Sequence, residues 1–401
     1  MRGVRTTNLL NLGNANSMNA LRKLLLMALT VSGSAAEPKA SLDWPMHRGG
    51  QNLQGVAVGE LPDKLKLGWT FQVERPKRDD GTPGLQPGIK ASAIISGAGV
   101  YVGDDNGTFH ALELETGKTR WTFRAQDAIE GAALALGDRI IFGSGDGFLY
   151  CLDTDGKLVW KYETQDQVLA APNWAKDPKS NDLWVLAGSY DGSVHCVRAV
   201  DGKQVWKYAT DNFVNGSPAI AGEKVIFGGC DTYLYVLELG TGKALESIEA
   251  DAYIASSVAV RDQIGYLGHY DNAVIAFSTI SGDMLWKYQK KSFPYFSSCA
   301  VTEKQILIGG RDKSMHAIDR KTGKGLWTFK TRGQVDSSPV VCDGKVLFGS
   351  IDGNFYSLDA KSGEEIWSYD VGAAIIASPA VASGKILIGD EKGNLFAFTG
   401  K

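Results

Sequence analysis

Short apolar runs separated by turns rich in Gly and Asp fill the chain from about residue 65 to its end. One stretch shows the unit most cleanly. Ser337-Ser338-Pro339-Val340-Val341 reads as a first strand, A, and Lys345-Val346-Leu347-Phe348-Gly349 as a second, B. The pair Asp352-Gly353 then turns into Asn354-Phe355-Tyr356-Ser357-Leu358-Asp359, strand C. Ser362-Gly363 turns into Glu365-Ile366-Trp367-Ser368-Tyr369, strand D. Short β-branched and aromatic runs bounded by Asp-Gly or Ser-Gly pairs are the signature of successive hairpins.

The unit recurs eight times. Strand A starts at Ala91-Ser92, Gly131-Ala132, Ala170-Ala171, Gly216-Ser217, Ala255-Ser256, Ser297-Ser298, Ser337-Ser338 and Ala377-Ser378. Strand D carries Trp121, Trp160, Trp206, Trp286, Trp327 and Trp367, with Glu246 at the same place in the fourth copy. Their spacings are 39, 46, 40, 40, 41 and 40, the 46 reflecting an insertion around Lys176–Asp182. A period near forty, with four strands in each copy, predicts an all-β, eight-bladed β-propeller of four-stranded antiparallel blades. The eighth copy stops after its strand C, Leu395-Phe396-Ala397-Phe398. Leu67-Gly68-Trp69-Thr70-Phe71 has the missing D pattern, so the N-terminal strand is expected to close the ring and leave no open edge.

Two neighbouring positions of strand C account for much of the composition. Ala111, Cys151, Cys196, Val236, Ala276, Ala317, Ser357 and Ala397 are small or slender, a flat seat for an indole on the adjacent strand. One place earlier stand His110, Tyr150, His195, Tyr235, Ile275, His316, Tyr356 and Phe396, which alternation turns to the other face, between blades.

The first 36 residues have a different texture. Arg22 and Lys23 precede the apolar run Leu24-Leu25-Leu26-Met27-Ala28-Leu29, and Ser34-Ala35-Ala36 supplies small residues for cleavage. This is the pattern of a signal peptide, read from either Met1 or Met18, and the run is too short for a permanent transmembrane helix. Residues 37–64 form an N-terminal arm and 65–401 the propeller. The full chain has a net charge of −3; removing Arg2, Arg5, Arg22 and Lys23 makes it −7. That balance argues against nucleic acid and anionic lipid as partners. No cysteine stands at the cleavage site to carry a lipid, so a soluble monomer, periplasmic or secreted, is expected.

The run Gly-x-x-Asp-Gly, Leu-Asp, Thr-Gly-Lys-x-x-Trp, seen at residues 143–160, 309–327 and 349–367, resembles the PQQ-like propeller repeat. The resemblance covers about residues 65–401 and implies eight W-shaped blades with docked tryptophans, Trp69 included. One branch of that family holds pyrroloquinoline quinone and calcium on the axis. Another is non-catalytic and similar to the outer-membrane assembly factor BamB. Quinone-dependent members typically carry adjacent cysteines, whereas Cys151, Cys196, Cys230, Cys299 and Cys342 are scattered. The expectation is a protein-interaction scaffold in the cell envelope with no cofactor and no catalytic or metal-binding residues. A quinone-dependent dehydrogenase with calcium, or a small-ligand or glycan binder, is the alternative.

The cysteines read as buried free thiols and the histidines as inter-blade packing, because His110, His195 and His316 share one repeat position on three separate blades. Variation concentrates on the face that carries the D–A and B–C connections. Lys90, Glu130, Leu169, Asn215, Ile254, Phe296, Asp336 and Ile376 are read as the residues just before each strand A. Tyr190, Phe213, Tyr253, Tyr270, Tyr295 and Phe296 give this face its aromatics on blades 3–6, with His269 and Arg311 in the same B–C turns. Exposed aromatics beside Arg are typical interface anchors. The long segment Glu74–Gly88 emerges on the same face, as a cover for the channel mouth or a tolerated loop.

Overall fold

The computed structural model describes residues 43–78 and 80–400. The expected signal peptide and the first residues of the arm lie outside this range. Eight separate four-stranded antiparallel sheets follow one another along the chain. In blade 1 the strands are Ile94–Ser96, Gly99–Gly103, Thr108–Glu113 and Thr119–Arg124. In blade 8 strands A to C are Ala380–Ala382, Lys385–Gly389 and Asn394–Thr399. Its strand D is Lys66–Gln72 from the other end of the chain, which pairs with strand C so that Trp69 lies opposite Ala397. The ring therefore closes as expected.

In the seven blades that carry the tryptophan, the small residue of strand C does face the strand-D indole, and in blade 4 Val236 faces Glu246. Ala111 pairs with Trp121, Cys151 with Trp160, Cys196 with Trp206 and Ala317 with Trp327. The far side of six of the indoles, all but Trp367, lies on the glycine of the next blade's C–D turn, a contact the spacing alone did not reveal. A Cβ on Gly117 would stand 2.5 Å from Trp69, and one on Gly363 2.5 Å from Trp327. The indole N–H groups donate to main-chain carbonyls of the next blade, Trp69 to Leu114, Trp160 to Ala199 and Trp206 to Leu239. Glycine is needed here twice over, because these turns have positive φ and because the ring leaves no room for a side chain. Blade 4 has Glu246 in place of the indole and lacks this clamp.

The residues one place earlier lie between blades as expected. His195 is held by Asp191 on one nitrogen and by the Tyr162 hydroxyl of the preceding blade on the other, and His316 is held likewise by Asp312 and Tyr288. Tyr150, Tyr235 and Tyr356 donate to Asp146, Asp231 and Asp352 of their own B–C turns. The five cysteines are free thiols, four of them buried and Cys230 partly so. Burial pushes the Cys151 and Cys299 thiols up to about 12, which keeps them protonated and inert.

Around the axis, the second residues of the strand-A starts form a ring that is hydrogen-bonded from blade 3 round to blade 1 and open at Ala132 and Ala171, which have no hydroxyl. The backbone N–H of Ser217 donates to the Ser257 hydroxyl, Ser257 to Ser298, Ser298 to Ser338, Ser338 to Ser378 and Ser378 to Ser92. This ring corrects the expected start of blade 5. Its equivalent pair is Ser256-Ser257, not Ala255-Ser256, so Ala255 rather than Ile254 precedes strand A. Consecutive small residues, Ala255-Ser256-Ser257, leave that register ambiguous in one dimension.

The arm crosses the axis beside these strands. Trp44 pairs with Ile95 of blade 1, the Pro45 carbonyl accepts from Ala135 of blade 2, and Gln51 bonds Trp174 and Ile220 on blades 3 and 4. Asn52, Gln54 and Gly55 go on to Val260, Val301 and Val341 of blades 5 to 7. Arg48 is buried among them and donates to the Cys299 carbonyl. One segment, folded into a 3-10 turn at His47–Gly49, thus ties seven blades together at the end of the axis where the A strands finish.

Candidate functional site

The face carrying the D–A and B–C connections is assembled the same way in every blade. The first or second residue after each strand B donates its N–H to the segment leading into its own strand A, as Tyr190 does to Gln167, Cys230 to Phe213, Tyr270 to Tyr253 and Arg311 to Pro294. These two positions alternate around the channel mouth and are where side chains differ most between blades.

On blades 5 to 7 they form one continuous row. Tyr253 and Tyr270 are 6.2 Å apart edge to face, Tyr270 and Phe296 4.4 Å apart, and the Arg311 guanidinium lies 3.8 Å above the Phe296 ring. Asp336 holds Arg311 from the far side through two hydrogen bonds of 3.1 and 2.8 Å. Tyr253 is 54% exposed and Tyr270 45%. A second group stands on blades 3 and 4, where Tyr190 and Phe213 stack at 4.8 Å and the Tyr190 hydroxyl donates to Asn215. On blades 1 and 2 the face is ionic: Lys90 bridges Asp105 at 3.3 Å and Glu130 at 3.1 Å. Ile351 and Phe293, both exposed, extend the apolar part and were not singled out in the sequence. The B–C turn alignment would have found Ile351.

Three of the expected face residues are instead structural. Tyr295 is 2% exposed. It occupies the position of Ile89, Ile129, Val168, Val214, Val335 and Ile375, each packed on the last glycine of a neighbouring strand B; a Cβ on Gly268 would stand 2.4 Å from Tyr295. Its ring meets His316 edge to face at 5.3 Å. Ile254 is the same buried position in blade 5. His269 is 1% exposed, and its Nδ1 accepts the Asp271 N–H, the turn-capping task that Asp104 and Asp390 perform in blades 1 and 8. The segment 74–88 closes on itself, with Arg78 bonded to Thr82, Gly84 to Pro76 and Arg75 to Gly84.

The buried histidines predict a pH dependence of stability. Burial lowers His269 and His195, and burial with the neighbouring Arg48 charge brings His47, in the arm, down to about 3. Depressed in the folded state, these imidazoles take up protons more readily once unfolded, so stability falls as pH drops below the ordinary histidine range. Thermal melts at pH 7 and pH 5 are expected to show a lower midpoint at pH 5. His269→Asn, whose amide oxygen can cap the same turn, is expected to reduce that difference; a midpoint independent of pH in the parent protein would contradict the assignment.

No three His, Cys, Asp or Glu side chains converge to hold a metal ion among the described residues, and the axial ring is built from serine and alanine.

The comparisons agree with this architecture. The chain matches the family model described as outer membrane protein assembly factor BamB over residues 63–175, 168–294 and 272–401. BamB of Burkholderia pseudomallei is 24% identical over 262 residues, 59% of this chain and 64% of that protein. Quinoprotein ethanol dehydrogenase of Pseudomonas aeruginosa is 29% identical over 141 residues, 31% of this chain and 21% of that enzyme. The chain spans about a tenth to a fifth of the length of the first curated relatives it matches. The crystal structure of BamB from Moraxella catarrhalis superposes with a TM-score of 0.68 at 18% identity, covering 84% of this chain and all of that one. With the family model matching every blade and the eightfold ring built as the repeat demands, this chain belongs to the BamB family of PQQ-like β-propellers.

Proposed function

We propose that this protein is a non-catalytic, exported scaffold that docks a protein partner of the cell envelope on its D–A/B–C face, in the manner of an outer-membrane assembly factor, and works without a bound quinone. The row Tyr253, Tyr270, Phe296, Arg311 and Asp336 carries the reading. Two tyrosines about half exposed, backed by a pre-formed Arg–Asp pair over an aromatic ring, offer apolar area at little entropic cost, the composition that interface hot spots favour. The ionic blades 1 and 2 and the Tyr190–Phe213–Asn215 group would form the rim. Kinship to BamB and the signal-peptide pattern support the envelope location; no helix among the described residues is long and apolar enough to cross a membrane.

Affinity capture from envelope extract, compared between the parent protein and Tyr253→Ala with Tyr270→Ala, tests this. A partner retained by the parent and lost by the double variant is expected. A partner held equally by both would place docking elsewhere, and added pyrroloquinoline quinone with calcium raising the melting midpoint would favour the dehydrogenase reading.

A further inference from the structure

The opposite face, where the A–B and C–D turns lie, carries a groove along blade 6 that the docking reading does not use. A cavity of about 910 Å³ is lined by Val56 of the arm, by Arg261, by the turn Thr302–Gln305, by Leu326 and Trp327, and by Lys361. It shares Leu326 and Trp327 with a second recess of about 530 Å³ that reaches Tyr288 and Lys290 at the rim. Together they run from the axis to the outer edge of the blade, across four strands, about 14 Å at the usual strand spacing.

Its shape has local causes. Strand D of blade 6 begins with Gly325, where the other blades place Leu67, Thr119, Leu158, Gln204, Ala244, Met284 or Glu365. The missing side chain leaves the passage beside Tyr288 open; a Cβ there would stand 3.2 Å from that ring. Trp327 forms one wall, anchored by its N–H to the Ala360 carbonyl. Val56, 36% exposed, and Leu326, 51% exposed, form an apolar floor.

The charges around that floor are unbalanced. Arg261, Lys304 and Lys361 line it, against Glu303 and Asp319, while Lys290, bonded to the Thr328 hydroxyl, stands at the rim of the second recess. The Asp319 carboxylate is already engaged by the Thr322 hydroxyl and by two backbone N–H groups of its own turn, and Glu303 stands 3.9 Å from Arg261 with most of its side chain in solvent. A cationic groove is conspicuous on a chain whose net charge is negative.

We propose that this groove binds a short extended peptide segment in which aliphatic or aromatic side chains alternate with carboxylates. About four extended residues span 14 Å. In such a segment successive side chains point to opposite sides, so alternate residues meet the floor of Val56, Leu326 and Trp327 while the intervening carboxylates reach Arg261, Lys304 and Lys361 at its margins. A protein docked on the aromatic face would leave this second site free, and the two are tested apart.

Fluorescence anisotropy with a labelled pentapeptide alternating glutamate and leucine tests it, beside the same peptide with glutamine or lysine in place of glutamate. Saturable binding of the acidic peptide alone is expected, weakened about tenfold or more by K304E with K361E and by Leu326→Asp, and unchanged by Tyr253→Ala with Tyr270→Ala. Lys304, Lys361 and Leu326 are exposed, so thermal melts of these variants should match the parent. Absence of saturable binding, equal binding of all three peptides, or indifference to the charge reversal would overturn the proposal. So would phosphatidylglycerol vesicles that the parent captures through Lys304 and Lys361 while the peptide goes unbound.

Discussion

A chain begun at Glu74 is expected to lose its closed ring, whereas one begun at Leu65 keeps it. The shorter chain lacks strand D of blade 8, Lys66–Gln72, and leaves the edge of Asn394–Thr399 unpaired. It also lacks Trp69, whose indole packs on Gly117 of blade 1 and bonds the Leu114 carbonyl. Truncating a large aromatic in a core costs roughly 3–5 kcal/mol, and a typical domain has only about 5–15 kcal/mol in hand. Here a whole ladder goes as well, at the single joint between the two ends of the ring. The exposed strand, with Phe396 and Phe398, would take its missing partner from another chain. Light scattering on the eluted protein should therefore show oligomers or aggregate for the Glu74 chain and monomer for the Leu65 chain. Both chains lack the arm, so the difference between them reports ring closure apart from the arm's contribution. A Glu74 chain that eluted as a monomer and melted within a few degrees of the full protein would refute the closure account.

Tyr295→Ala and Tyr253→Ala should differ by several kcal/mol in stability although both tyrosines lie in D–A connections. Tyr295 fills the place of an aliphatic residue, packed between Gly268 and His316, and its removal leaves a cavity costing roughly 3–5 kcal/mol. Tyr253 is about half exposed, and its truncation should change stability by no more than about 0.5 kcal/mol. Urea unfolding of the two variants, read by tryptophan fluorescence, checks this. Similar midpoints would mean that Tyr295 is not the buried counterpart of Ile254 and Val335. The contrast also governs how docking is tested, since a variant at Tyr295 would lose binding by losing its fold.

The repeat was legible because each element of it answers to a local rule. Strand alternation, Asp-Gly turns and the tryptophan period are all short-range, and they located every blade and the N-terminal strand that completes blade 8. The pairing of small strand-C residues with the indoles was readable too, because both lie at fixed positions within one hairpin. The aromatic face was readable in outline, since Tyr190, Phe213, Tyr253, Tyr270, Phe296, Arg311 and Asp336 do gather there.

Other features depended on contacts between distant residues. Tyr295 and His269 looked like face residues because aromatic or imidazole side chains replace aliphatic or carboxylate ones at buried positions. Only the packing on Gly268 and the bond to the Asp271 N–H show the exchange. The one-residue error at Ile254 arose where small residues blur the start of strand A, and the serine ring between blades resolves it.

The arm carries no periodic signal, yet it bonds to blades 1 through 7 along the axis. The groove of blade 6 needs Gly325, Val56 and Lys361 from three separate parts of the chain. By itself, then, the sequence determined the eight blades, their strands and the closing of the ring, because hairpins and their turns are encoded within about forty residues. The tertiary structure alone decided what fills the axis, which aromatics reach solvent and where a groove opens, because those depend on side chains that meet only after the ring has closed.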